Sequence, residues 1–149
     1  MNAITLKRIT CAMLALIFVV SSCGGAAQRN SSGVVVKVGD CSNSNLSQTV
    51  DKLDLVACDK PHSHEAYSVI ASTASTYPGA EVLQVFADQS CIDKFFDYVG
   101  VALSQSILYY TYVYPSVTSW NSNSDRSVIC FIYKATEPLL TKSVKGSKL

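Results

Sequence analysis

The apolar positions change their period along the chain, and each change marks an element. Val34-Val35-Val36-Lys37-Val38 is a short β-branched run, which predicts a first strand ended by Gly39-Asp40. Ser42 to Thr49 is polar and predicts a loop. Leu53 to Cys58 alternates, with Leu53, Leu55 and Ala57 on one face, and predicts a second strand. Asp59-Lys60-Pro61 makes a turn, because proline fixes its own φ and keeps the preceding residue extended. Ala66 to Ala71 is a third strand, expected to form a hairpin with the second. The period then becomes helical. From Ala80 to Val99, a stripe of Leu83, Phe86, Ala87, Ser90, Cys91, Phe95 and Tyr98 falls on one face, and Gly100 supplies the stop. Ile107 to Tyr114 is the strongest strand signal and Pro115 ends it. Ser116 is placed to cap one helical turn reaching Trp120, and Arg126 to Lys134 is the last long strand. Three strands, a helix and two strands predict an α+β domain: a small antiparallel sheet of about five strands with one main helix packed on it.

Ahead of this domain the pattern is different. Lys7 and Arg8 precede a continuous apolar run from Ile9 to Val20, the order of a secretory signal peptide. A spanning helix needs roughly 20 apolar residues, so this run is short for an anchor. It ends in Val20-Ser21-Ser22-Cys23-Gly24. That stretch resembles the bacterial lipobox, which implies cleavage before Cys23 and a lipid on its thiol. Residues 1–22 are therefore expected as a signal peptide and 23–33, small and polar, as a lipidated flexible tether. The folded domain is expected over 34–138, and 139–149, with Lys142, Lys145 and Lys148, as a loose basic tail. The expected location is the extracytoplasmic face of a bacterial cell membrane, held by the lipid.

This processing alters both charge and cysteine count. Removing Lys7 and Arg8 takes the formal charge from +1 to −1, and nothing in that balance suggests a nucleic-acid partner. Cys11 would be discarded with the signal and Cys23 lipidated. Cys41, Cys58, Cys91 and Cys130 remain, an even set that in an exported domain reads as two disulfides. Of three possible pairings, Cys41–Cys58 and Cys91–Cys130 are favoured. The first closes a short loop between neighbouring strands, and the second ties the helix to the last strand. No C-x2-C pair supports a four-thiolate zinc site.

Several pieces recur in an order that resembles a known family. They are Val38-Gly39-Asp40-Cys41, then Cys58-Asp59 with Pro61-His62 and Glu65, then Tyr77-Pro78-Gly79, then Cys91 with Phe95, Tyr98 and Gly100, and finally Trp120 and Asp125-Arg126 with Val128 and Cys130. The set is similar to the septum-formation domain of actinobacterial envelope proteins, over about Val36 to Ile132. Two positions depart from the family pattern: Ala66 follows the glutamate, and Ser124 precedes Asp125-Arg126. The resemblance implies an association with division septa. It implies no reaction and no catalytic residue.

Two constellations carry candidate chemistry. His62, His64 and Glu65 offer two imidazoles and a carboxylate for a metal or small ligand. The resemblance covers His62 and Glu65 but not His64. It therefore favours a structural turn in which His62 bonds the backbone and Glu65 pairs with a cation such as Arg126. Tyr110, Tyr112 and Tyr114 would line one strand face, either covering the core or forming a contact surface. Trp120 reads as a core plug ahead of a sugar platform. No nucleophile motif or phosphate loop is present. The reading is a non-enzymatic, cofactor-free binding or scaffold domain that meets an envelope or division protein. The alternative is a small metal- or ligand-binding lipoprotein centred on His62, His64 and Glu65.

Overall fold

A computed structural model describes residues 35–47 and 53–149, together with the backbone of 28–29. The expected signal peptide and the expected lipid site at Cys23 lie outside these residues. Strand β1 (Gln28–Arg29) pairs antiparallel with β2 (Val35–Val36), so two positions of the expected tether meet the start of the domain. The main sheet comprises β3 (Cys41–Ser42), β4 (Leu55–Val56), β5 (His64–Ala71), β6 (Leu108–Val113) and β7 (Ser127–Lys134). All its pairings are antiparallel, in the order β4-β3-β5-β7-β6. Helix α1 (Ala80–Val99) packs on one face, and a second helix, α2 (Val117–Asn123), fills the β6–β7 connection. The expected α+β class and a five-stranded sheet are present, but β3 takes the place of the expected first strand, whose Val35–Val36 pairs with β1 instead.

The second and third expected strands do not form a hairpin, because β3 lies between them. Gly39, at φ 94°, takes a left-handed turn that returns the chain toward β5, and its N–H donates to the carbonyl of Ala66. The carboxylate of Asp40 accepts from the N–H of Lys37 and closes the turn. Cys41 is thereby set opposite both Val56 and Glu65. Strand β4 is only two residues long, which leaves a short edge.

Strand β7 shows why the sheet is well determined. Val128, Cys130 and Ile132 join the cluster under α1, while Ile129 and Phe131 join a second cluster with Val36, Leu53, Ala66 and Val113. Both faces are buried, and alternation divides the strand between them. On α1 the buried residues are Leu83, Ala87, Cys91, Phe95, Tyr98 and Val99. Gly100 adopts the left-handed conformation at φ 85° and its N–H bonds the carbonyl of Phe96. Both expected disulfides are formed. Ser116 caps α2 by accepting from the N–H of Ser119, and the helix runs to Asn123, beyond the single turn expected.

The C-terminal stretch is not a loose tail. Leu140 and Val144 are buried in the cluster beneath α1. Leu140 pairs with His62 through both backbone bonds, and the N–H groups of Gly146 and Lys148 donate to the carbonyls of Tyr98 and Val99. The three lysines stay exposed while Leu140 and Val144 turn inward. Reading the stretch by its charge alone hides this alternation.

Candidate functional site

Two surroundings hold the chemically interesting side chains, and His62 and His64 fall in different ones. His62 is fully buried, with Nδ1 2.7 Å from the carbonyl oxygen of Lys60. A carbonyl only accepts, so Nδ1 carries the proton, and in that tautomer the lone pair is on Nε2. Among the described residues Nε2 has no hydrogen-bond partner. The structural turn expected at His62 is present, with an unused ring nitrogen in addition.

Glu65 is also fully buried, and it does not pair with Arg126. Glu65 lies opposite Ile132 on β7, and Arg126 precedes the other end of that strand, roughly 20 Å away at the strand rise. Its carboxylate instead accepts three bonds. The Tyr98 hydroxyl donates to Oε1 at 2.6 Å, the Ser143 hydroxyl donates to the same oxygen, and the Val144 N–H donates to Oε2 at 2.8 Å. Burial pushes the Tyr98 phenol above its ordinary range, and the carboxylate beside it adds to the shift. A ring nitrogen of His62, the Glu65 carboxylate and Cys41 Sγ lie within 4.8 Å of one another; His64 is not among them. Nothing in the local sequence pattern marks Cys41, Tyr98, Ser143 and Val144 as neighbours of Glu65. The cross-strand pairing of Cys41 with Glu65 places them together, and it depends on β3 lying between β4 and β5.

His64 sits on the far side of its strand at the rim of a cavity of about 180 Å³ lined by Ser63, Tyr133, Lys134, Glu137 and Leu140. Its Nδ1 is 2.8 Å from the Ser63 hydroxyl, and its ring lies against Tyr133 and Phe131. Burial holds its pKa below the ordinary 6.5. The unfolded chain therefore binds this proton more readily, so stability falls as pH drops through and below 6.5. Urea denaturation between neutral pH and about pH 5.5 should show this slope, and His64→Gln should flatten it. An unchanged slope in the variant assigns the pH dependence elsewhere.

The tyrosines face the helix. Tyr114 is buried, and Tyr110 and Tyr112 are partly buried against the cluster under α1. The Tyr110 hydroxyl donates to Asp88, and Gln84 donates to the Tyr114 hydroxyl. Trp120 is buried in the same cluster, edge-on to Tyr77, with the Arg126 guanidinium 3.8 Å above its ring. Arg126 also donates to the carbonyls of Trp120 and Asp125. These residues pin α1 and α2 to the sheet.

An exposed apolar surface lies on the outer side of α1. Val82, Val85, Ile92 and Phe96 are 56%, 71%, 40% and 60% exposed. With Gln89 they follow a 3–4–3–4 spacing, the seam of a helix that meets another helix. Glu81, Asp88, Asp93 and Asp97 flank this seam, and Lys94 is held by Asp97 at 3.6 Å. The signal was present as a second apolar stripe opposite the first. No helix among the described residues is long and apolar enough to cross a membrane.

A family model described as Septum formation matches residues 16–130, most of the chain. The match includes all four disulfide cysteines and ends before the C-terminal segment that contacts Glu65. No curated protein and no solved structure matches. By this match the chain belongs to the septum-formation family.

Proposed function

We propose that this chain is a lipid-anchored, extracytoplasmic binding domain that serves septum formation by docking an envelope partner on the outer face of α1. The family match supports a septum-related role and an envelope association, and the family is not a known enzyme family. The observation that carries the docking is the exposed seam of Val82, Val85, Ile92 and Phe96. Large apolar side chains presented at heptad spacing favour an amphipathic helix as occupant. The acidic flank at Glu81, Asp88, Asp93 and Asp97 selects the sign of its charge. A second copy of this helix would bring acidic residues together across the seam, whereas a partner helix with lysine or arginine flanks is attracted. The lipid at Cys23 holds the domain at the membrane, and the residues between supply reach.

The test displays the exported, membrane-bound chain in lipid nanodiscs. The probe is a synthetic amphipathic helix with leucine along one seam and lysine beside it. Val85→Lys and Phe96→Lys should each weaken binding at least about tenfold and leave thermal unfolding unchanged, because both side chains are solvent-facing. Cys23→Ser should release the chain from the membrane fraction. Unchanged peptide binding removes the α1 face from the proposal, and retention of the serine variant removes the lipid.

A second reading, ligand binding beside His64, is favoured by the cavity of about 180 Å³ at that residue. It would admit only a small molecule or ion, since pockets for larger ligands are about 300 Å³ or more.

A further inference from the structure

We infer that Cys41, His62 and Glu65 form a zinc-class metal site that opens when the Cys41–Cys58 disulfide is reduced. The three ligand atoms lie within 4.8 Å of one another and all three residues are buried. His62 donates through Nδ1 to the Lys60 carbonyl, which leaves Nε2 as the nitrogen with a lone pair. That second bond is the usual support of a metal-binding imidazole. Nε2 is fully enclosed and unpartnered among the described residues. Glu65 Oε2 takes only the Val144 N–H, which leaves it acceptor capacity, while Tyr98 and Ser143 fix the other oxygen. Among the described residues no cation pairs with this buried carboxylate.

Cys41 is the missing ligand, because its sulfur is bonded to Cys58. Cys58 is partly exposed while Cys41 is buried, so an attacking thiolate reaches Cys58. A dithiol reductant attacks Cys58 Sγ; the S–S bond breaks and Cys41 leaves as a thiolate. The reductant's second thiolate then displaces Cys58, which takes up a proton, and the reductant departs as its own disulfide. A divalent ion entering between the Cys41 thiolate and the Glu65 carboxylate makes the buried set neutral, which removes the cost of two enclosed anions. One sulfur, one imidazole nitrogen and one carboxylate oxygen suit zinc at bonds of about 2.0–2.3 Å. The ligand atoms must close by about an ångström, and cleavage of the disulfide frees Cys41 to supply that movement. Three protein ligands leave the fourth position open.

This site is independent of the α1 seam, and so is its test. The full chain in detergent, with Cys11 and Cys23 changed to serine, carries Cys58→Ser so that Cys41 is free without reductant. Cobalt(II) should bind with a thiolate-to-metal charge-transfer band and be displaced by zinc. The comparator Cys41→Ser/Cys58→Ser lacks the same disulfide and should show no such band. Absence of the band in the first variant, or equal bands in both, overturns the site. Should Cys58→Ser not fold, the chain retaining Cys41 and Cys58 is opened by brief reductant treatment and alkylated with and without zinc. Zinc should slow labelling of Cys41 at least about tenfold relative to Cys58. Equal labelling of the two overturns it as well.

Discussion

Replacing Cys91 and Cys130 together by alanine should lower the stability of the domain by about 4 kcal/mol, the larger of the two disulfide effects. The bond spans 39 residues, and a loop of that size falls between the roughly 3 and 4.7 kcal/mol expected for shorter and longer closures. Cys41–Cys58 spans 17 residues and should contribute about 3 kcal/mol. Location widens the gap. Cys91 lies on the buried stripe of α1 and Cys130 on β7, both without solvent exposure, so the cross-link joins the helix to the strand that is buried on both faces. Its loss also leaves two small voids in the main cluster, a further cost of the kind that follows any core truncation. Trp120, the single tryptophan, is buried in that cluster and reports the unfolding directly. Urea titrations of the double variant and of Cys41→Ala/Cys58→Ala compare the two. A loss smaller than about 1 kcal/mol at Cys91/Cys130, or the reverse order, would show that the helix holds its place without the bond.

The elements legible in the sequence are those whose period is long or whose stop is chemical. The α1 stripe repeats over five turns and Gly100 ends it, so its bounds follow from the residues. Leu108–Val113 and Ser127–Lys134 read as strands because β-branched and aromatic residues are concentrated there. Short strands were not legible in this way. Cys41–Ser42 holds the second position of the sheet through partners distant in sequence, and two residues carry no period. The Glu65 site failed for a related reason. Its donors come from positions 33, 78 and 79 residues away, and no local pattern links them. A charge-based expectation supplied Arg126 instead. A buried carboxylate is satisfied as well by hydroxyl and amide donors, and those residue types are too common to stand out. The α1 seam was legible in principle: Val82, Val85, Ile92 and Phe96 are a second stripe, and the first stripe drew the reading to one face.

Glu65→Ala should be the most damaging single substitution, costing about 3–5 kcal/mol and detaching the C-terminal segment. The carboxylate is where three parts of the fold converge: β5 provides it, α1 reaches it through Tyr98, and the C-terminal segment reaches it through Ser143 and Val144. Alanine leaves three donors facing a void. Two of them, the Tyr98 hydroxyl and the Val144 N–H, are buried, and each unsatisfied group costs about 1–3 kcal/mol. Glu65→Gln keeps the shape but turns one oxygen into a donor, which must then oppose either the hydroxyl pair or the Val144 N–H. Its cost should be smaller, about 1–3 kcal/mol. The segment's own hold is modest: it places two apolar side chains, Leu140 and Val144, in the main cluster, and the remaining support is backbone bonding to His62, Tyr98 and Val99. Loss of the carboxylate should therefore be local before it is global. Hydrogen exchange reads this directly. The amides of Val144, Gly146 and Lys148 should lose protection in Glu65→Ala well before those of β7, since they bond to Glu65, Tyr98 and Val99. If those amides stay as protected as in the parent chain, the segment is held by its apolar residues, and the carboxylate is only a passenger in the sheet.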